Sequence, residues 1–270
     1  MTIALRPLTV GELLDRTFFL YRRHFLMFVG IAALPNLILL AFQLAQLVLT
    51  PITLGGMIST LLWLLATILI YFITIAVSQG ATIIAVSQIQ LEREASASAA
   101  FSAIRSRIGE LSLLIFGTGL RIVIAFLFLI VPGIYLAIVW SLAIPVAVLE
   151  GKGLRDALAR SSELTRGHRG RIFVIYSLLL TLVYIVTLLL QIPTMAVVAI
   201  WAGALSATEM PAWAQIVMAL SSFVTTALVS PVMTIALSLV YYDERVRKEA
   251  FDLQHMIAEL DRAAAPSPAT

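Results

Sequence analysis

The stretch LSLLIFGTGLRIVIAFLFLIVPGIYLAIVWSLAIPVAVL, Leu111 to Leu149, decides how the chain is threaded. Its one charge is Arg121. As a single helix it would run about 58 Å at 1.5 Å per residue, nearly twice the ~30 Å hydrocarbon core of a bilayer. The step Val131-Pro132-Gly133 supplies a break, because proline stops a helix and glycine permits a reversal. Two crossings follow, Leu111 to Val131 and Gly133 to Leu149, joined by a tight turn.

Outward from this stretch, apolar runs long enough to cross the core recur. They cover Phe25 to Leu49, Met57 to Gln88, Ile172 to Ala202 and Ala212 to Tyr241, making six crossings. The composition demands as much. Of 270 residues, 61% are hydrophobic and 12% charged, about half the ~25% charged share of a soluble domain. Mean hydropathy is +1.02. A formal charge of +3 is too small and too scattered for a nucleic-acid partner. With no cysteine, disulfides, thiolate catalysis and cysteine metal sites are excluded. Glu12, Asp15 and four arginines precede the first span, whose apolar run is too long for a signal-peptide core, so it reads as a retained helix.

All but one of the 18 lysines and arginines lie in four segments: before span one, between two and three, between four and five, and after six. The remaining one is Arg121. By the positive-inside rule both termini are predicted cytoplasmic, in a bacterial inner membrane. An odd number of spans would break the alternation. The expected fold is all-α, six transmembrane helices in three hairpins preceded by amphipathic cytoplasmic surface helices. The units are about 8–90, 91–150 and 151–243, followed by a C-terminal amphipathic helix over 244–262, all one membrane domain over 1–262. Residues 263–270 are expected to be a disordered tail of small residues and proline.

The surface helices are read from spacing. Leu13, Leu14, Thr17, Phe18 and Tyr21 make a helical stripe after a Thr9–Glu12 capping-box pattern. Ala97, Ala100, Phe101 and Ile104 give a second stripe, and Leu154, Ala157, Leu158 and Ser161 a third. The first and third copies align without gaps at a shift of 144, pairing Leu14 with Leu158, Arg16 with Arg160, Arg22 with Arg166 and His24 with His168. Either the chain is a three-unit repeat, or basic amphipathic segments before spans merely look alike. Arg16, Arg22, Arg155, Arg160 and Arg166 are candidate contacts for anionic lipid headgroups. Packing of these helices on the protein itself is the alternative. Val246, Ala250, Leu253, Ile257 and Leu260 mark a face on the C-terminal helix, expected to pack on the surface helices.

Within the spans, Arg121 lies near the midplane with no carboxylate in any span to pair with it. Its partners are carbonyls, hydroxyls, amides such as Asn36 or Gln43, or an anionic ligand; otherwise it snorkels to an interface. Polar stripes such as Thr67–Thr82, Ser177–Thr194 and Ser222–Ser238 suit helix packing, or line a cavity. Pro35, Pro145, Pro193 and Pro231 interrupt spans. His24, His168 and His255 have no companions at metal-ligand spacing, and no nucleophile elbow, phosphate loop or dinucleotide fingerprint occurs. No cofactor is expected.

Several stretches together carry a resemblance: Arg6-Pro7-Leu8-Thr9-Val10-Gly11-Glu12-Leu13-Leu14-Asp15, Leu20-Tyr21-Arg22-Arg23-His24-Phe25, Val131-Pro132-Gly133-Ile134-Tyr135-Leu136, the run from Leu158 to Gly167, and Tyr241-Tyr242-Asp243-Glu244-Arg245-Val246-Arg247-Lys248-Glu249. The chain resembles the membrane domain associated with glycerophosphoryl diester phosphodiesterases and related uncharacterised bacterial membrane proteins. The resemblance implies the fold rather than the activity. The catalytic barrel is expected to be absent, and His168-Arg169-Gly170, which mimics that enzyme's start, runs into an apolar helix without the companion Glu-Asn-Thr. The expectation is a non-enzymatic scaffold, regulatory or lipid-contacting partner, with membrane lipids, other membrane proteins or itself as partners. The alternative is a transporter or permease for a small or lipid-like solute.

Overall fold

The computed structural model describes residues 8–49, 56–204 and 210–264, the last fifteen of them by backbone alone. Among the described residues every regular element is helical. Six helical stretches are long and apolar enough to cross a membrane, so the all-α, six-span architecture read from the sequence is the one observed.

Helix α1 (Val10–Arg23) opens on the expected capping box. Thr9 Oγ1 accepts the Glu12 N–H and Glu12 Oε2 accepts the Thr9 N–H, satisfying donors a helix start leaves open. At His24 the chain bends and α2 (Phe25–Leu49) begins. Helix α3 (Met57–Gln90) returns, α4 (Ala97–Ile104) lies beside it, and α5 (Ile108–Phe128) follows after a short 3-10 turn.

The decisive turn falls earlier than the sequence suggested. The break is at Leu129, in extended backbone at φ −161° and ψ 143°, and α6 (Ile130–Val139) contains Val131, Pro132 and Gly133. Proline is accommodated because it sits in the first turn of α6, where its missing N–H has no helical partner to lose. Gly133 serves close approach instead of reversal: a Cβ there would lie 2.4 Å from the Phe126 ring. The fourth crossing is also divided. After Val139 the chain turns through Trp140-Ser141-Leu142 into α7 (Ala143–Glu150), again with its proline, Pro145, in the first turn.

Helix α8 (Leu154–Thr165) ends at Arg166, and Gly167 takes the left-handed backbone (φ +91°) that other residues adopt only with strain. Helices α9 (Arg169–Ala204) and α10 (Ala212–Ala264) complete the chain. The expected separate helix over 244–262 is the continuation of α10, which is 53 residues long, about 80 Å at 1.5 Å per residue. Nothing between Tyr241 and Glu249 breaks a helix, and the i,i+4 pairs Asp243–Arg247 and Arg245–Glu249 support it there. Of the expected tail, Ala263 and Ala264 belong to α10 and 265–270 lie outside the described residues, as do the side chains of Ala250, Leu253, Ile257 and Leu260.

The spans pack in chain order, α2 on α3, α3 on α5, α5 on α6, α6 on α9 and α9 on α10, and α10 closes the circuit on α2. Helix α7 sits inside, against α3, α5, α8 and α10. The core gathers at the end where α1, α4 and α8 lie, termed the basic end: Leu13, Phe28, Ile83, Leu142, Leu164, Ile175 and Tyr241 are buried there. At the other end apolar side chains face outward, with Leu127 and Phe128 each 81% exposed, as suits contact with lipid tails.

The 144-residue shift reappears in three dimensions. Val10 and Leu154 start α1 and α8; Phe25 and Arg169 start α2 and α9. Buried Leu13, Thr17, Leu20, Phe28 and Ile31 correspond to buried Ala157, Ser161, Leu164, Ile172 and Ile175.

Candidate functional site

The densest polar assembly lies at the basic end, where three of the quoted motifs meet. Asp243 and Glu244, directly after the apolar part of α10, keep only 1% and 0% of their side chains exposed. Arg171, in the first turn of α9, donates from Nη1 to Asp243 Oδ2 at 2.6 Å and to Glu244 Oε1 at 2.8 Å. His168 Nδ1 stands 2.7 Å from Glu244 Oε2, and Arg247 Nε donates to Asp243 Oδ2 at 2.9 Å. Such carboxylates persist in a buried site because each has an arginine beside it and a hydrogen-bond partner on its other oxygen.

The same groups clip the start of the chain. Asp243 Oδ1 accepts the Leu8 N–H at 2.6 Å, and Arg171 and Arg247 both donate to the Leu8 carbonyl at 2.7 Å. Leu8 is therefore held at its N–H by α10 and at its carbonyl by α9 and α10 together, and α1 is tied to the last span.

A second cluster adjoins it. Glu150, at the end of α7, pairs with Lys152 at 3.0 Å and Arg160 at 3.5 Å and accepts from the Tyr241 hydroxyl at 3.0 Å. Arg160 continues to Glu163 and Glu249, and Lys248 donates to the Glu163 carbonyl. Burial opposes the Arg160 charge, but Glu163 and Glu150 outweigh it and raise its pKa. Ser161 Oγ donates to the Val139 carbonyl at 2.8 Å and accepts the Leu142 N–H at 3.2 Å, satisfying the backbone at the break between α6 and α7. Arg107 Nη1 caps the Ala147 carbonyl near the end of α7 at 2.8 Å. The arrangement is a lock that joins α1, α7, α8, α9 and α10.

The residues singled out from sequence are placed apart. Arg121 is exposed and donates to the carbonyl of Gly117, one turn back toward the basic end, at 2.8 Å; this is the posture of a snorkelling side chain. Asn36 is buried and donates to its own helix, to the Ala32 carbonyl at 2.8 Å. Gln43 is half-buried on α2. Helix α3 packs between α2 and α5, so the structure does not bring the three together. Arg16 donates to Gln90 at 2.8 Å and Arg160 belongs to the lock, whereas Arg22, Arg155 and Arg166 are exposed. In the polar stripes, Thr82, Thr234 and Ser238 bond carbonyls of their own helices, and Thr194 meets Ser221 between α9 and α10 at 3.1 Å. Among the described residues no group of three His, Asp or Glu side chains is placed to hold a metal ion.

Sequence reasoning passed over the lock. Its signal was present in the adjacent acids Asp243-Glu244 directly after an apolar run, with His168 and Arg171 directly before another, two features that register as flanking charges until the helices are packed.

Residues 114–262, more than half of the chain, match the family described as the membrane domain of glycerophosphoryl diester phosphodiesterase. The matched part contains Arg171, Asp243 and Glu244. No curated protein and no solved structure matches the chain.

Proposed function

The chain belongs to the family of glycerophosphoryl diester phosphodiesterase membrane domains, and on that premise we propose that it is a non-enzymatic membrane scaffold. It sits in a bacterial cytoplasmic membrane with its basic end and both termini in the cytoplasm. There it contacts anionic headgroups and organises other membrane proteins or further copies of itself. One observation carries this reading: the buried charges of the basic end are consumed in holding five helices together, while Arg22, Arg155 and Arg166 stay exposed around that body. Neutralised buried acids favour rigidity over chemistry, and exposed basic residues on interfacial helices favour an anionic leaflet. The scaffold reading is favoured over a transporter by Arg121, which is exposed and bonds the Gly117 carbonyl of its own helix instead of another span.

Two measurements test this. Because the chain lacks cysteine, single-cysteine variants label without background. Cysteines at Gly56 and Met210 are expected to react with an impermeant reagent in intact cells, and those at Ser106 and Ser162 only after permeabilisation. The reverse pattern overturns the orientation. Purified full-length protein in nanodiscs is expected to retain phosphatidylglycerol over phosphatidylcholine, and the triple change of Arg22, Arg155 and Arg166 to Gln is expected to erase that preference at low salt. An unchanged preference overturns the lipid-contact reading.

A further inference from the structure

A groove of about 380 Å³ runs between α2 and α3, bordered by Leu34, Pro35 and Ile38 on one side, Ile73 and Val77 on the other, and Phe101 of α4. Its volume is many times the ~30 Å³ share of one water, and its walls are almost wholly apolar, so water is not its natural occupant. It opens outward, since Leu34 is 55% and Ile38 64% exposed, and both lie in a span.

The groove has a polar end. Helix α4 bridges α2 and α3, and Ile104 packs at Gly80, which is nearer the basic end than Val77. Arg105 follows Ile104 and lies one helical turn beyond Phe101, on the same face. It is exposed, and among the described residues its guanidinium forms neither an ion pair nor a hydrogen bond. On α2, one turn toward the basic end from Leu34, a Cβ on Gly30 would meet open space, so the wall is cut away between the groove and the headgroup level.

We propose that this groove holds one acyl chain of an anionic phospholipid from the leaflet at the basic end, with the headgroup phosphate on Arg105. An apolar channel with an unpartnered guanidinium one helical turn past its Phe101 wall matches an amphiphile with an anionic head. The occupant is a membrane phospholipid rather than a soluble acid because the channel's exposed wall, Leu34 and Ile38, lies in a span. The inference rests on the reading that the basic end meets the anionic leaflet.

The test uses full-length protein in liposomes with phosphatidylglycerol or phosphatidylcholine carrying a diazirine in one acyl chain, and mass-spectrometric mapping of photo-crosslinks. With phosphatidylglycerol, crosslinks are expected to concentrate on Leu34–Ile38 and Ile70–Val77. They should fall about fivefold with phosphatidylcholine or in Arg105→Gln, the equivalent of ~1 kcal/mol per basic residue at an anionic surface. Gly30→Leu, which meets no neighbour at its Cβ, should reduce groove labelling while overall phosphatidylglycerol retention persists. Crosslinks spread evenly over outward faces such as Leu127–Val131, or equal groove labelling by both lipids, overturn the site even if the protein still prefers phosphatidylglycerol in nanodiscs. Loss of that nanodisc preference in the parent protein overturns the broader lipid reading instead.

Discussion

The two halves related by the 144-residue shift share one burial register and differ in how they are bound to α10. In the first, His24 lies against Phe28 in an edge-on ring contact, and Met27 occupies the position where the second half has Arg171. In the second, His168 and Arg171 reach the buried acids of α10. Likewise Thr17 bonds only its own helix, at the Leu13 carbonyl, whereas the equivalent Ser161 spans to α6 and the turn beyond it. Hydrophobic spacing seats both surface helices and their spans, and the first half is also tied to α10, through Leu8 on Asp243 and the Tyr21 hydroxyl on the Leu228 carbonyl. Electrostatics then decide which seat is fixed to a particular neighbour.

The sharpest way to break this comparison is to give the second half the residue of the first. Arg171→Met removes the cation that Asp243 and Glu244 share, leaving them only Arg247, the Leu8 N–H and His168, and is expected to cost about 3–5 kcal/mol, read as lost thermal stability in detergent. Met27→Leu at the equivalent site should stay within about 1.5 kcal/mol. Equal effects would mean the lock contributes nothing beyond packing.

Next in size is the hydroxyl pair. Ser161→Ala leaves the Val139 carbonyl and the Leu142 N–H without this partner and should cost about 1–3 kcal/mol, measured by the same melts. Thr17→Val removes a bond to an already helical carbonyl and should be nearly silent.

The equivalent exposed arginines Arg22 and Arg166 should behave alike. Replacing either with Gln is expected to move stability by no more than about 0.5 kcal/mol. A large loss from only one would reveal a partner that distinguishes the halves.

The smallest effect concerns pH. Burial, and then the neighbouring Arg23, lower the His24 pKa. The unfolded chain therefore takes the proton first, and stability is lost as pH falls below the ordinary histidine value of about 6.5. His24→Phe should flatten that part of the Tm-against-pH curve; an unchanged slope would show that His24 does not contribute to it.

Much of the fold was legible because membrane insertion is a length-and-polarity problem. The six runs, the capping box at Thr9 and Glu12, and the register linking Leu13 to Ala157 all follow from local spacing. The turn at Leu129 was misread by a few residues because proline tolerates the first turn of a helix as well as the residue after its end. Only Phe126, brought close by packing, reveals what Gly133 is for. The continuity of α10 was hidden by the change from apolar to charged residues at Tyr242, which alters the solvent of a helix without ending it.

The sequence by itself determined that the chain spans a membrane, how many times, and which segments gather the basic residues, because each depends on runs of neighbouring side chains meeting lipid or water. Tertiary structure alone decided the partners. Arg121 turned to its own helix and Asn36 to Ala32, while Leu8, His168, Arg171, Asp243 and Glu244, remote in sequence, met in one place. A charge's pairing depends on which helices pack beside it, and that is set by the whole circuit of spans closing through α10, a property no local window contains.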